Sequence, residues 1–240
     1  MLIETKAIVL KAIKYGDSSL IVHVFTEAIG LRSYMVNGVR KPKATIPAAI
    51  FQVGNAVTLI AYEKNDAKLQ RIKEVSLDLI YQNIPFDIRK GASAMLIMEI
   101  VGKCVQEVEP NQRLFRFLYE TLIFLDQTPT NIHNFHLHFM LHFSAFLGFS
   151  PSGQFFEGAV FDLKEGNFNT PANESNTTLT NAQSNFLFQL LQSTLVDMHK
   201  IQRNRSERDE LFLSLEKFYS LHIENLRPFE SYRIWKEMLQ

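Results

Sequence analysis

The sequence of 240 residues has little cysteine, no long apolar run and no net charge. Its single cysteine, Cys104, excludes an internal disulfide and a zinc site built from thiolates of this chain alone. The apolar, helical surroundings of Cys104 predict a small buried residue, and such cysteine usage is typical of a reducing, cytoplasmic protein. The longest apolar runs are as short as residues 94–98, and the first six residues lack the pattern of a secretory signal, so neither a membrane span nor secretion is predicted.

Motifs of catalysis are also missing. The sequence contains no Gly-x-Ser-x-Gly elbow, no phosphate-binding Gly-x-x-x-x-Gly-Lys-Ser/Thr loop and no Gly-x-Gly-x-x-Gly after a strand. The acidic neighbours Glu107 with Glu109 and Asp209 with Glu210 are interpreted as solvated helix charges. The chain is therefore predicted not to be an enzyme.

One histidine cluster leaves two interpretations open. His138 and His142 are four residues apart, so a helix would place both rings on one face, as a metal site needs. The adjacent Glu of a metalloprotease helix and a third ligand at a recognisable spacing are absent. The alternative is that these rings, together with His133 and His136, are partly buried polar residues beside a stripe of Phe.

Charge is balanced overall but unevenly distributed. Residues 1–80 contain 11 Lys and Arg against 7 Asp and Glu, and residues 6–43 are the most basic stretch. A basic face is an electrostatic footprint for polyanions, although a solvated, lysine-rich surface is the simpler alternative. The cations of this stretch are Lys6, Lys11, Lys14, Arg32, Arg40, Lys41 and Lys43.

The first 76 residues have the signals of strands. Alternation and turn clusters predict strands over 6–14, 19–26, 31–36, 50–53 with 57–62, and 68–75. The last of these is the least regular, because Leu69, Ile72 and Val75 are spaced three residues apart. Short strands without a strong helix between the first three predict a small five-stranded barrel.

After Pro85 the period changes to that of helices. Helices are predicted over 86–109, 111–126 and 131–148, and an irregular insertion over 149–178 contains a hairpin around the turn at 164–167. Thr180 is predicted to be an N-cap, Ser206 with Asp209 resembles a capping box, and a short helix follows Pro228. The predicted class is α+β: a barrel domain over 1–80 and a helical domain over 81–240.

A basic loop joins two barrel strands. In Gly38–Lys43, a proline keeps the backbone extended and the glycine before it allows a turn. Arg32 and Tyr34 alternate onto one face of the preceding strand, which would place a cation beside an aromatic ring. Single-stranded nucleic acid is bound by this combination, because phosphates need charge and unpaired bases need a flat surface. The alternative is a surface strand followed by a mobile loop.

Several of these segments resemble the RecO family of bacterial DNA repair proteins. The opening residues 5–10, the stretch 15–21, and Val24-Phe25-Thr26 match it, and the most specific match is 39–43 after Asn37-Gly38. Further along, 146–151 is similar to the Leu-Gly-Tyr-x-Pro junction of the family. The resemblance extends through nearly the whole chain, is strongest over 1–55 and is weak after about 175.

The resemblance implies an amino-terminal OB-fold barrel and a helical carboxy-terminal domain. It also implies binding of single- and double-stranded DNA, annealing of complementary strands, and cooperation with RecR to load RecA onto strands coated by single-strand binding protein. The implied DNA contacts are Arg32, Arg40, Lys41 and Lys43, with Tyr34 as a stacking platform and Lys6, Lys11 and Lys14 on the same electropositive surface.

The sequence departs from the family in two places. Many members carry two Cys-x-x-Cys pairs that hold zinc, whereas this chain has 154–157 and 170–173 in roughly those positions, so no zinc or other cofactor is expected. The loop at 168–176 would then be held by packing or be mobile. Near the end, 228–232 lacks the two cations of the family's Pro-x-Lys-Ser-Arg.

The prediction is a non-catalytic DNA-binding mediator. Two other classes stay open. One is a helical protein-interaction scaffold whose barrel has lost DNA binding, for which reversing the charge of the basic loop would change no affinity. The other is a metal-dependent enzyme that uses the histidine cluster, for which bound metal would be found by elemental analysis.

Overall fold

The computed structural model describes residues 1–63, 69–105, 109–170 and 177–238. It confirms the α+β class, because a closed five-stranded barrel precedes the helices. Close contacts divide the chain into a barrel unit, residues 1–128 with the last helix, and a helical unit, residues 129–230. The domain boundary near residue 80 stays a prediction.

The strands are β1 (Leu2–Tyr15), β2 (Ser19–Thr26), β3 (Gly30–Val36), β4 (Ala56–Tyr62), β5 (Gln70–Leu77), β6 (Val160–Asp162) and β7 (Asn167–Asn169). The helices are α1 (Ile88–Cys104), α2 (Gln112–Gln127), α3 (Phe135–Phe143), α4 (Asn181–Gln192), α5 (Arg205–His222) and α6 (Ser231–Met238).

The barrel closes in the order β1-β2-β3-β5-β4, with every neighbouring pair antiparallel except β3 and β5. Alternate side chains of each strand, among them Val9, Val22 and Leu59, point inward and form its core. A bulge between Val9 and Lys11 inserts one extra residue into β1. After this bulge Ala12 faces the core, so Lys11 and its alternate neighbours face outward.

One detail of the strand prediction was wrong, and the structure explains another. The residues Ala48–Phe51 form a short 3-10 helix rather than a strand, because Pro47 starts a turn in which its carbonyl accepts the Ile50 N–H at 3.1 Å. The irregular spacing in β5 has a structural cause. The register against β4 skips Lys73, and this bulge lets Ile72 and Val75 both face the barrel core although they are three residues apart.

Helices cover part of the outer surface of the barrel. The backbone of α1 lies against β1, where a Cβ placed on Gly102 would be 3.9 Å from the Cβ of Leu10. Phe25 of β2 packs on Phe115 of α2, with ring centroids 6.3 Å apart. The first helix is shorter than the predicted 86–109: Asp87 is its N-cap and it ends at Cys104, while residues 106–108 lie outside the described ones. Cys104 is buried as predicted, and burial raises the pKa of its thiol to about 12.

Two caps position the later helices. Thr180 caps α4 as predicted, in a reciprocal capping box with Gln183. The predicted box of Ser206 with Asp209 was wrong: Asn204 caps α5 and pairs with Glu207. Asn has the same ability as Ser to accept an N–H of the first turn, so the helix begins two residues earlier than the sequence suggested. The helix predicted after Pro228 is confirmed as α6.

Aromatic packing holds the hairpin of β6 and β7, which is confirmed where the sequence predicted it. Phe161 and Phe168 are cross-strand partners with ring centroids 5.1 Å apart, and Phe161 also packs on Phe218 of α5 at 5.7 Å. The Asp162 carboxylate accepts the N–H groups of Lys164 and Glu165 and so shapes the turn. The residues 171–176, part of the predicted loop at 168–176, lie outside the described ones. In the described parts of the chain, no helix is both long and apolar enough to cross a bilayer.

Candidate nucleic-acid interface

The ends of β1, β2 and β3 that α1 and α2 leave uncovered form an open face on the barrel. Strand register arranges its outward side chains in three cross-strand rows. We use the name open face for these nine residues. The first two rows are Lys11, His23 and Ser33, and then Ile13, Ile21 and Met35. The third is Tyr15 and Ser19 with Asn37, which follows β3 and is joined to Ser19 by a side-chain hydrogen bond.

Hydrogen bonds tie neighbouring strands of the open face together. The His23 ring and the Ser33 hydroxyl are 2.8 Å apart, and the Ser19 hydroxyl donates to the Asn37 side chain at 3.1 Å. Burial and the nearby Lys11 ammonium lower the pKa of His23 and so favour the neutral ring. The middle row is apolar and continues to Arg71 of β5, which pairs with Met35 across the parallel junction.

The basic loop Gly38–Lys43 is anchored beside the open face. Val39 is buried in the barrel core, and the Arg40 N–H donates to the Ser18 carbonyl at 3.2 Å. The Arg40 guanidinium also donates to the Gly16 carbonyl in the β1–β2 turn. Gly38 has φ of 72°, a left-handed conformation that favours glycine, and this starts the turn into the loop. The loop is therefore held against the hairpin that carries the end of β1.

The predicted cations occupy different environments. Lys41 and Lys43 of the basic loop are exposed, as are Lys11 and Lys14 of β1. Arg40 is half-buried and fastens the loop to the hairpin turn, which is a structural role that leaves less of the guanidinium for a phosphate. As DNA contacts, these five residues stay predictions.

Two further predicted cations are engaged in ion pairs. The Lys6 ammonium lies 3.1 Å from the Asp78 carboxylate and over the Tyr119 ring, 5.0 Å from its centroid. Its hydrogen bond to Asp78 raises the pKa of Lys6. The Arg32 guanidinium lies 3.4 Å from the Glu63 carboxylate. Because a carboxylate lies beside each of these two cations, they attract a phosphate less strongly than Lys41 and Lys43 of the basic loop do.

The structure places Tyr34, the predicted stacking platform, inside the barrel. The ring is fully buried in the barrel core, opposite Val22, and its hydroxyl donates to Glu63 at 2.8 Å. Burial, followed by this hydrogen bond to a carboxylate, raises the pKa of Tyr34. Arg32 and Tyr34 do share one face of β3, as predicted, and both meet Glu63. That face points inward, so the Tyr34 ring offers no surface to a base.

Tyr34→Phe is expected to destabilise the barrel without changing DNA affinity. The variant leaves the ring in the core but removes the donor to Glu63, which costs about 1 kcal/mol. Urea unfolding followed by tryptophan fluorescence measures the first effect, because the only tryptophan, Trp235, lies in the barrel unit. Fluorescence anisotropy of a labelled single strand measures the second. A lower DNA affinity at unchanged stability would contradict the core role of Tyr34.

Two exposed residues of this surface were missed in the sequence. Tyr15 ends β1 and belongs to the open face, and Arg71 extends its apolar row. The alternation Lys11, Ile13, Tyr15 was a usable signal. The bulge before Lys11 obscured this signal. Even-numbered residues of β1 face outward before the bulge, and odd-numbered residues face outward after it.

The histidine cluster lies in the helical unit and is interpreted as part of its packing. The rings of His138 and His142 share a face of α3, with centroids 4.1 Å apart. His138 faces the Ser193 carbonyl at 3.0 Å, and His136 is fully buried against Phe212, 5.7 Å between centroids. Within the described residues, no three His, Cys, Asp or Glu side chains are grouped as metal ligands would be.

Comparisons with known proteins cover nearly the whole chain. A family model described as "Recombination protein O N terminal" matches residues 1–80, and one described as "Recombination protein O C terminal" matches residues 85–232. The chain is 32% identical over 239 residues to the DNA repair protein RecO of Christiangramia forsetii and 34% identical over 239 residues to that of Flavobacterium johnsoniae. It is 30% identical over 240 residues to the DNA repair protein RecO of Bacteroides fragilis. Each match covers 99% of both chains.

Proposed function

The chain belongs to the RecO family of DNA repair proteins, and from this membership we propose that it binds single- and double-stranded DNA and anneals complementary strands. Its role is in DNA repair and recombination. The DNA would lie across the open face and the basic loop. The protein would act without catalysing a covalent step, in the cytoplasm, on strands of the nucleoid.

The observation that carries the proposal is the placement of the exposed cations. Lys41 and Lys43 are on a loop that Val39 and Arg40 fix to the barrel, and Lys11 is in the first row of the open face. A strand that follows these ammonium groups would have its phosphates near charge and its bases near the apolar row of Ile13, Ile21 and Met35. OB-fold barrels commonly bind oligonucleotides on the face of their second and third strands.

The proposal extends to protein partners. With RecR, the chain would load RecA onto strands that single-strand binding protein has coated, so RecA would be an indirect partner. This step requires the protein to hold DNA while another protein is displaced from it. Reversible phosphate contacts suit this task, since they form and break without altering the strand.

The test reverses the two exposed lysines of the basic loop. In Lys41→Glu/Lys43→Glu, we expect weaker binding of a labelled single strand and a shallower dependence of log K on log salt. Each phosphate contact on a single strand contributes a slope of about 0.7, so the loss of two should reduce the slope by about 1.4. Fluorescence anisotropy titrations at several salt concentrations measure both quantities.

The matched control is Lys164→Glu/Lys217→Glu, which makes the same change of net charge with exposed lysines of the helical unit. It should leave the slope of the wild type unchanged. If the wild type fails to bind DNA at low salt, the protein would instead be the protein-interaction scaffold whose barrel has lost DNA binding. If the basic-loop variant and the control have the same slope, the phosphates lie on another surface.

A further inference from the structure

We propose that Tyr15 is the base-stacking residue of the interface and that it makes the site favour unpaired over paired bases. The inference rests on the proposed DNA binding, and it assigns the aromatic contact that the buried Tyr34 cannot provide. Tyr15 is 52% exposed and stands at the last position of β1.

The position of Tyr15 brings it next to charge. The next residue is Gly16, whose carbonyl accepts a hydrogen bond from the Arg40 guanidinium. This bond joins the turn after Tyr15 to the basic loop. Lys14 precedes it and is exposed. A ring placed here would meet a base of the same strand whose phosphates contact the loop.

Apolar neighbours extend the ring into a platform. Ile13 lies two residues before Tyr15 on the same outward face and is 40% exposed, and Ile21 and Met35 follow it across β2 and β3. A sheet face with an apolar row and a terminal aromatic ring is costly to leave in water, and a strand of bases would cover it. The surrounding ammonium groups select a polyanion over an apolar protein surface as the occupant.

Other aromatic residues of the described barrel strands fit the role less well. Phe25 and Tyr34 are buried, Phe25 under α2 and Tyr34 in the core. Tyr62 of β4 is half exposed and pairs with Arg71, so it lies beyond β5 at the far end of the apolar row, two strands away from β3 and the basic loop that follows it. Tyr15 therefore combines exposure with attachment to the loop.

Stacking explains the expected preference for single strands. In a duplex the base faces are covered by neighbouring bases, so a ring on the protein surface gains nothing from them, whereas an unpaired base can leave its stack and cover the ring. Phosphate contacts, in contrast, are available on both forms. Tyr15 would consequently affect strand preference, and the lysines would affect binding of both forms.

The experiment compares Tyr15→Ala, Tyr15→Phe and the wild type with labelled single-stranded and double-stranded oligonucleotides. Removal of one stacking ring costs about 1 to 3 kcal/mol, which lowers single-strand affinity about 5- to 150-fold. We expect a loss in this range for Tyr15→Ala, with duplex affinity within about twofold of the wild type and an unchanged salt slope, since no phosphate contact is lost. Tyr15→Phe keeps the ring and should bind like the wild type. The control is Phe86→Ala, which removes an 84% exposed ring outside the barrel strands.

A direct readout of stacking comes from Tyr15→Trp. The fluorescence of the new indole, after subtraction of the wild-type signal from Trp235, should be quenched by a single strand and not by a duplex. Single-strand binding equal to that of the wild type in Tyr15→Ala, or equal losses for both DNA forms, would overturn the stacking role while leaving the DNA-binding proposal standing. A wild type that binds no DNA would overturn both.

Discussion

Asp126→Ala is expected to lower the free energy of unfolding of the barrel unit by about 3 to 4 kcal/mol. The carboxylate is buried near the end of α2 and accepts three consecutive backbone N–H groups, those of Gln82, Asn83 and Ile84, at 2.8 to 2.9 Å. Alanine has no acceptor, so these three donors would lose their shared partner together. The Asp126 side chain therefore supplies much of the hydrogen bonding of the segment that leads from the barrel into α1, beside the Tyr81 hydroxyl, which donates to the Gly54 carbonyl at 2.8 Å.

The buried Lys90 of α1 binds the end of α2 close to the Asp126 carboxylate. The Lys90 ammonium donates to the carbonyl groups of Asp126 and Thr128, both at 2.8 Å, and so satisfies acceptors that the helix leaves open. Burial alone would raise the pKa of Asp126, but the three N–H groups and the Lys90 charge outweigh it and lower the pKa. Removal of the carboxylate would leave the buried ammonium without a compensating charge.

Urea unfolding followed by Trp235 fluorescence tests the prediction, because this residue reports on the barrel unit. Its indole donates to the Ser93 hydroxyl of α1 at 3.0 Å, so loss of the α1 packing changes its surroundings. Asp126→Asn keeps an acceptor without the charge and should lose about half as much. The control Asp197→Ala removes a carboxylate that is 46% exposed in its ion pair with Lys200, so its unfolding midpoint should stay close to that of the wild type. A midpoint for Asp126→Ala equal to that of this control would show that the segment is held by other contacts.

Local sequence patterns predicted much of the fold because the responsible interactions are local. The bounds of β2, the cap at Thr180 and the hairpin around 164–167 each follow from alternation, a side-chain acceptor or turn residues close in sequence. The errors had different causes: a turn that begins at Pro47 replaced part of a predicted strand, and Asn204 rather than Ser206 caps α5. The irregular spacing of β5 was visible in the sequence, but its cause was not. The bulge in β5 at Lys73 is defined by the register against β4, which no pattern within β5 contains.

The candidate site was predictable in its cations and not in its aromatic ring. Lys41 and Lys43 follow a glycine and flank a proline, so exposure on a loop is expected from the sequence itself. Strand β3 has apolar residues on both faces, Leu31 and Met35 on one and Tyr34 and Val36 on the other. Alternation shows that Arg32 and Tyr34 share a face. Which face points into the barrel is decided by pairing with Val22 and Val24.

Acid is expected to destabilise the helical unit more than the barrel unit, because three histidines of the helical unit have a lowered pKa whereas in the barrel unit only His23 does. Burial is the main cause that lowers the pKa of His136, His138 and His142, with His138 lowered to about 4. Because the pKa values in the folded state lie below the value of about 6.5 in an unfolded chain, the unfolded state binds more protons as the pH falls. The stability that neutral rings provide is therefore complete above pH 6.5 and is lost as the pH falls toward 4. For His138 alone the loss over this window is roughly 3 kcal/mol.

Neighbouring groups act in the same direction as burial. The charges of Arg208 and His133 further disfavour a proton on His136, and His142 disfavours one on His138. The Ser193 carbonyl favours protonated His138 through its hydrogen bond, but this contribution is smaller than the cost of burial. The sum of these effects makes α3 the element on which acid should act first.

Hydrogen exchange between pH 7.5 and 5, corrected for the intrinsic pH dependence of exchange, measures the effect by segment. Amides of α3 should lose protection, whereas those of α1, which contains no histidine, serve as the internal control. His138→Gln removes one titrating ring and should flatten the dependence by up to about 1.4 kcal/mol per pH unit. Equal loss of protection in α1 and α3, or an unchanged pH dependence in His138→Gln, would show that the acid response originates elsewhere. The expected pattern would show that these rings stabilise the helical unit in their neutral form. This is the behaviour of histidines that are part of the packing.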